Sequence, residues 1–159
     1  MQLIFVAARV AVTLAFLLYS SWSDYKTREV SNKVWALYAP IALALSTVEF
    51  ALYDQAMFPT FALSAGLTTV FALLLFYTGA FGGADSKAFM CIAVALPVFP
   101  QILITPLLPN GLSPISQIMF PLTVLSTSVL IAAASGFYLL LSNIIRRFTT
   151  GKPLFQGSL

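Results

Sequence analysis

Two of the five acidic side chains in this sequence stand where a pair of carboxylates could carry out hydrolysis. Asp24 follows the first long apolar stretch, and Asp85 precedes the fourth. Two carboxylates that meet at the edge of a low-dielectric region cannot both ionise cheaply, so they share a proton. One then acts as a base toward water and the other as an acid toward a peptide carbonyl. This pairing predicts peptide hydrolysis without histidine, cysteine or metal.

Small residues precede the second of these aspartates. Gly82, Gly83 and Ala84 allow the close approach of a substrate backbone or a neighbouring helix, and Lys87 could orient the pair electrostatically or extend to the lipid headgroups. Taken alone, Asp85 would also suit a helix N-cap, and Asp24 would suit a solvated loop. Their combination at one membrane depth favours an active site.

Composition determines what kind of scaffold holds these groups. Of 159 residues, 60% are apolar and 8% are charged, and the mean hydropathy is +0.95. A soluble domain needs about 25% charged residues, so this composition excludes a soluble enzyme and a large extramembrane domain. The sequence contains no histidine, and the lone Cys91 excludes an internal disulfide and a multi-cysteine zinc site. We therefore expect no metal and no organic cofactor.

Apolar runs predict an all-α, polytopic bundle of transmembrane helices with five spans, forming one integral membrane domain over residues 1–159. The first run lacks a basic segment before it, which favours a retained helix over a cleaved signal peptide. Six of the nine prolines lie between Pro97 and Pro121, so we expect a kinked fourth span and an irregular connection at 106–117. The predicted spans are 3–19, 34–52, 61–81, 88–105 and 118–141, followed by a cytoplasmic tail at 142–159.

Basic residues orient these spans, because short cytoplasmic loops are enriched in lysine and arginine. With the N-terminus outside, seven of the eight basic residues fall on the cytoplasmic side. The net charge of +3 then describes a basic rim at the bilayer, and no nucleic-acid partner is expected. Arg9 lies inside the first span, where it must snorkel outward, pair or line a cavity, and we expect it to snorkel outward.

The surroundings of both aspartates resemble two motifs of the type IV prepilin peptidases, which include the archaeal preflagellin peptidases. Asp24-Tyr-Lys-Thr-Arg-Glu-Val-Ser-Asn32 is similar to their first motif, an Asp followed by basic residues two and four places on and by an aliphatic-Pro-Asn ending. Gly82-Gly-Ala-Asp-Ser-Lys87 is similar to their second, Gly-x-Gly-Asp-x-Lys. The resemblance embraces both motifs, their spacing and the membrane architecture.

The resemblance implies a membrane aspartic endopeptidase with Asp24 and Asp85 as the catalytic pair. Its active site would face the cytoplasm at the cell membrane. Its partners would be the lipid bilayer and prepilins, pseudopilins or preflagellins that carry a short basic leader before an apolar helix. The residues carried over as substrate-binding or supporting are Lys26, Arg28, Asn32, Gly82, Gly83, Ala84 and Lys87.

Several positions depart from the family pattern. Ser31 stands where many members have proline, Lys26 where many have arginine, and Ala84 where the bacterial motif has glycine. The long bacterial enzymes carry a four-cysteine zinc segment and also methylate the new N-terminus, and lone Cys91 argues against both. Members commonly have about six spans, so a sixth helix remains an alternative to the five counted above.

Other functions fit parts of the pattern. A small proton-coupled transporter could use Asp24 and Asp85 as a proton relay. Such a transporter is, however, expected to have its acidic residues near mid-membrane and two halves of related sequence. A presenilin-like protease would need its other aspartate within a span after a tyrosine, and a later Pro-Ala-Leu sequence. This sequence shows neither feature. A non-enzymatic assembly subunit would tolerate asparagine at both positions.

Overall fold

The computed structural model describes residues 1–100, 103 and 119–150. This part of the chain is helical and contains no strand, which confirms the all-α prediction for the described residues. A short 3-10 turn, Gln55–Met57, precedes the third helix. The helices are α1 (Gln2–Thr27), α2 (Asn32–Tyr53), α3 (Phe58–Tyr77), α4 (Gly83–Ala95) and α5 (Phe120–Thr150).

Four of the described helices are long and apolar enough to cross a membrane: α1, α2, the segment Gln55–Tyr77 that contains α3, and Phe120–Phe148 within α5. They correspond to four of the five predicted spans. The remaining helix, α4, has 13 residues and a length of about 20 Å. Because a bilayer core is about 30 Å thick, α4 by itself is too short to cross it.

The predicted span at 88–105 is not one continuous helix. The helix α4 begins five residues earlier, at Gly83, and ends at Ala95. Leu96 leaves the helical region with φ −133° and ψ 63°, since the ring of the following Pro97 disfavours helical backbone at the preceding residue. Residues 101, 102 and 104–118, which include the predicted connection at 106–117, lie outside the described residues.

Two helices run further than their apolar stretches predict. The segment between the predicted spans 3–19 and 34–52 continues α1 to Thr27, so Asp24 lies in the last helical turn. Likewise, α5 continues from the predicted span into residues 142–150 of the predicted tail, and residues 151–159 lie outside the described residues. Polar side chains at the end of an apolar helix do not by themselves stop it, because serine, aspartate and threonine are each at most about 0.7 kcal/mol less favourable than alanine in a helix.

The chain forms two compact units, Met1–Thr123 and Val124–Leu159, and the single-domain assignment for 1–159 stays a prediction. In the first unit, α4 packs against α1, α2 and α3. Tyr38 is fully buried there, stacks on Phe16 with ring centroids 4.8 Å apart, and donates a 2.9 Å hydrogen bond to Thr13. The core cluster consists of Trp35, Tyr38, Ala42, Cys91, Ala95 and Leu96.

The expectation that Arg9 snorkels outward is wrong. Its side chain is buried between α1 and α2, where Arg9 Nε lies 2.8 Å from Glu49 Oε2. An arginine inside an apolar span needs either water or a counter-charge, and Glu49 supplies the counter-charge.

Candidate active site

Hydroxyl groups shape the turn that follows Asp24. Ser23 Oγ and Thr27 Oγ1 donate hydrogen bonds of 2.9 and 3.0 Å to the carbonyl oxygen of Glu29. The backbone N–H of Arg28 donates to the Asp24 carbonyl at 2.9 Å, which closes the last turn of α1. The chain therefore reverses within a few residues, and α2 begins beside the end of α1.

Arg28 takes a backbone role in this turn. It is the C-cap of α1 in the left-handed conformation, with φ 56° and ψ 20°. Among the described residues it is the only non-glycine residue with positive φ. Left-handed backbone costs about 1 kcal/mol for a residue with a Cβ, so a glycine would be expected here on conformational grounds alone.

A second turn leads from α3 to α4. Gly79 adopts φ +76° and donates its N–H to the Phe76 carbonyl, which turns the chain out of α3. Gly82 is the N-cap of α4 and has no side chain with which to cap it. Asp85 is the third residue of the helix and not its cap, so the purely capping explanation of this aspartate is wrong.

The Asp85 carboxyl group lies back over Gly82. A Cβ atom at residue 82 would lie 3.1 Å from Asp85 Oδ2, which is closer than ordinary contact, whereas a Cβ at Gly83 would lie 3.7 Å from Phe76 Cε2. Gly82 thus gives the Asp85 carboxyl group its space. Ala84 packs against the core cluster and helps to seat the first turn of α4.

One hydrogen bond joins the two motifs. Lys87 Nζ donates to Asn32 Oδ1 at 2.7 Å, across 55 residues of sequence. Lys87 lies in the second turn of α4, and Asn32 is the first residue of α2. Because α2 begins directly after the turn that carries Asp24, this contact brings both aspartate-bearing segments to one end of the first unit.

Both carboxylates are open to solvent. Asp24 and Asp85 are exposed, and within the described residues neither side chain has a hydrogen bond or an ion pair. They occupy opposite helix ends: Asp85 lies in the first turn of α4, where the helix dipole favours negative charge, and Asp24 lies in the last turn of α1, where it does not. The two carboxylates therefore experience different electrostatic surroundings.

The remaining basic motif residue points elsewhere. Lys26 Nζ lies 4.5 Å from the ring centroid of Trp22, one turn earlier in α1, in a cation–π contact. Of the predicted supporting residues, the structure thus joins Lys87 to Asn32 and places Gly82 beneath Asp85. Arg28 instead caps the C-terminal end of α1, and Lys26 contacts the ring of Trp22.

A second set of polar residues, which the sequence motifs do not include, lies at the other end of α4. Ser46 Oγ lies 2.8 Å from the Val94 carbonyl oxygen, and Ser64 Oγ donates to the Pro97 carbonyl at 2.7 Å. The sequence did contain a signal for the neighbouring pair, Arg9 and Glu49, of which Arg9 hydrogen-bonds to Ser46. Arg9 is the only basic residue inside a predicted span and Glu49 the only acidic one, which is a pattern that favours a buried pair.

Comparison with known proteins gives two matches. A model of the type IV leader peptidase family matches residues 11–137, a range that includes both aspartate motifs. A preflagellin peptidase of Methanococcus voltae is 31% identical over 142 residues, which cover 84% of this chain and 57% of that protein. The chain therefore spans little more than half the length of that relative. No solved structure matches the chain.

Proposed function

The chain belongs to the type IV leader peptidase family, and on that premise we propose that it is a membrane aspartic endopeptidase that uses Asp24 and Asp85. Membership in the family supports a multi-pass membrane peptidase that processes leader peptides. Its proposed substrates are prepilin-like, pseudopilin-like or preflagellin-like proteins with a short basic leader. The observation that carries the proposal is the Lys87–Asn32 hydrogen bond, since it sets both aspartate motifs at one end of the helices.

The proposed reaction is hydrolysis without a covalent intermediate. One ionised carboxylate accepts a proton from water as the water oxygen bonds to the scissile carbonyl carbon, and the protonated carboxylic acid gives its proton to the carbonyl oxygen. The C–N bond of the resulting diol then breaks as the amine nitrogen takes the proton now held by one carboxylic acid. The other carboxylate accepts a proton from a diol hydroxyl, which restores the pair. The products are the leader with a new carboxylate and the mature protein with a new amino terminus, and neither step uses a metal ion or an organic cofactor.

We call the end of the helices that carries both aspartate motifs the active end, and we propose that it faces the cytoplasm. Lys26, Arg28, Lys33 and Lys87 all belong to the segments that the Lys87–Asn32 contact brings together, and basic residues of short loops stay on the cytoplasmic side. In this orientation a basic leader lies at the inner membrane surface while the apolar helix of the substrate stays in the bilayer. Cleavage at their junction then depends on membrane depth as well as on sequence.

The function is tested by co-expressing the protein with a tagged preprotein that carries a basic leader. We expect leader removal, seen as a mass shift, with the unmodified protein and none with Asp24→Asn or Asp85→Asn. Asp54→Asn is the matched control, because Asp54 lies at the C-terminal end of α2, away from both motifs. Leader removal by either motif variant at the control rate would exclude the proposed pair.

The proposed orientation has its own test. In a Cys91→Ala background, a cysteine replaces Ser21 near the active end or Gln55 at the opposite end, and both positions are exposed. A membrane-impermeant maleimide added to intact cells should label the cysteine at position 55, and should label the cysteine at position 21 only after lysis. The reverse pattern would place the active end outside.

A further inference from the structure

A buried ion pair lies at the end of α1 and α2 opposite the aspartate motifs. Arg9 Nε is 2.8 Å from Glu49 Oε2, and the two side chains are 2% and 3% exposed. The Arg9 guanidinium also lies over the Phe50 ring, 5.1 Å from its centroid. The proposed hydrolysis uses neither charge, although charged groups buried within spans are seldom without a role.

The pair is connected to α4 through one serine. Arg9 Nη1 donates to Ser46 Oγ at 3.4 Å, and Ser46 Oγ in turn lies 2.8 Å from the Val94 carbonyl oxygen and 3.3 Å from that of Ala95. These carbonyls belong to the last turn of α4, where the helix itself provides no N–H partners. Ser46 is fully buried, so it links α1, α2 and α4 where no solvent competes.

Distance separates this cluster from the reacting groups. Arg9 and Asp24 are about 22 Å apart along α1, and Val94 and Asp85 are about 14 Å apart along α4, at 1.5 Å per residue. Arg9 and Glu49 therefore cannot touch a substrate bond that lies between the aspartates. They can act only through the helices, of which α1 carries one aspartate and α4 the other.

We propose that Arg9 and Glu49 are positioning residues that set the register of α1 and α4 against α2, and thereby the placement of Asp24 relative to Asp85. This inference rests on the proposed function. A slip of one residue along a helix shifts a side chain by about 1.5 Å and rotates it by about 100°, which would separate a carboxylate pair. Hydrogen bonds hold α4 to α2 at both ends, through Lys87–Asn32 and through Ser46–Val94.

The energetics of buried ion pairs favour register over stability as the role of Arg9 and Glu49. Replacing a buried ion pair with apolar residues of similar size is often neutral or stabilising, because the charges no longer have to be desolvated. Removing only one partner leaves an uncompensated charge and is strongly destabilising. Fixing the register of helices is the best-attested benefit of such a pair.

The test compares a double apolar variant, a variant that keeps the charge and a matched control, each purified and in lipid. The double variant Arg9→Met/Glu49→Met should insert into the membrane and unfold at a temperature no lower than that of the unmodified protein. Its KM should stay within twofold of the unmodified value, and its kcat should be at least tenfold lower. Arg9→Lys, with Glu49 retained, keeps a positive charge opposite the carboxylate. Its kcat should lie within threefold of the kcat of the unmodified protein. The matched control is Leu18→Met/Leu52→Met, on exposed positions of the same two helices, with unchanged kcat.

A distance measurement reads the register without relying on catalysis. Nitroxide labels on cysteines at Ser21 and Ala80, both exposed, report the spacing of α1 and the turn before α4 in a Cys91→Ala background. The distance distribution should shift or broaden in the double methionine variant but not in the leucine control.

An unchanged distance distribution, or a stable double variant with unmodified kcat, would overturn the proposal. So would a loss of kcat that only matches the loss of folded protein. If the unmodified protein removes no leader, the proposed function fails, while the labels still decide whether the ion pair sets the register.

Discussion

Replacing Lys87 by methionine removes the hydrogen bond that joins the two aspartate motifs. A hydrogen bond with a charged partner contributes about 1.5–3 kcal/mol when it is shielded from water. Both Lys87 and Asn32 are exposed, which reduces the 2.7 Å contact to about 1 kcal/mol. Because about 1.4 kcal/mol corresponds to a tenfold change in rate, kcat/KM should fall about fivefold.

A double-mutant cycle separates this contact from other roles of the same residues. Lys87→Met and Asn32→Leu should each lower kcat/KM for a leader-bearing substrate about fivefold, and the double variant should be no worse than either, giving a coupling of about 1 kcal/mol. Lys33→Met serves as the control, since it removes an exposed lysine next to Asn32 that does not hydrogen-bond to it. A double variant about 25-fold slower, with coupling below about 0.3 kcal/mol, would show that the contact does not position the motifs.

Two further substitutions test the packing around the site. Gly82→Ala should lower kcat while the protein still folds, because the new Cβ would lie 3.1 Å from Asp85 Oδ2; Gly66→Ala, which meets nothing within 4 Å, should leave kcat unchanged, and equal rates for both would contradict the close contact. Tyr38→Phe should lower the free energy of unfolding in micelles by about 1 kcal/mol, through loss of the 2.9 Å bond to Thr13, whereas Tyr19→Phe, at an exposed position, should not; equal unfolding midpoints would refute this role.

The sequence predicted the parts of the structure that depend on long apolar runs and on local motifs. Four of its five spans correspond to membrane-length helices, and the segments that contain Asp24 and Asp85 lie at one end of the first unit. Apolar length identifies a span because each spanning helix needs about 20 such residues. The catalytic assignment of the two aspartates itself stays a prediction.

Helix ends were predicted less well. The apolar stretch ends near Tyr19, but α1 continues to Thr27 and stops at the left-handed Arg28 cap, which hydropathy does not report. In the same way, the prolines from Pro97 onward predicted a kink in the span at 88–105, but not that α4 ends at Ala95.

Contacts between distant residues were beyond local patterns. Arg9 was expected to reach the headgroups, because a single helix offers an arginine no other source of solvation. Its partner Glu49 lies on another helix, 40 residues later, and only the packing of α1 on α2 brings the two charges together. The bond between Lys87 and Asn32 likewise depends on how α4 packs, although both residues belong to recognisable motifs.

The most direct measurement of the proposed mechanism is the single-turnover rate of leader removal by purified Asp24→Asn, Asp85→Asn and the double variant. General acid–base catalysis contributes about 100-fold to 10,000-fold, so each single variant should lose at least about 100-fold. The double variant should be no slower than the singles, because groups that act as a unit do not lose rate additively. A folded single variant that cleaves at the rate of Asp54→Asn would contradict the shared role of the two aspartates.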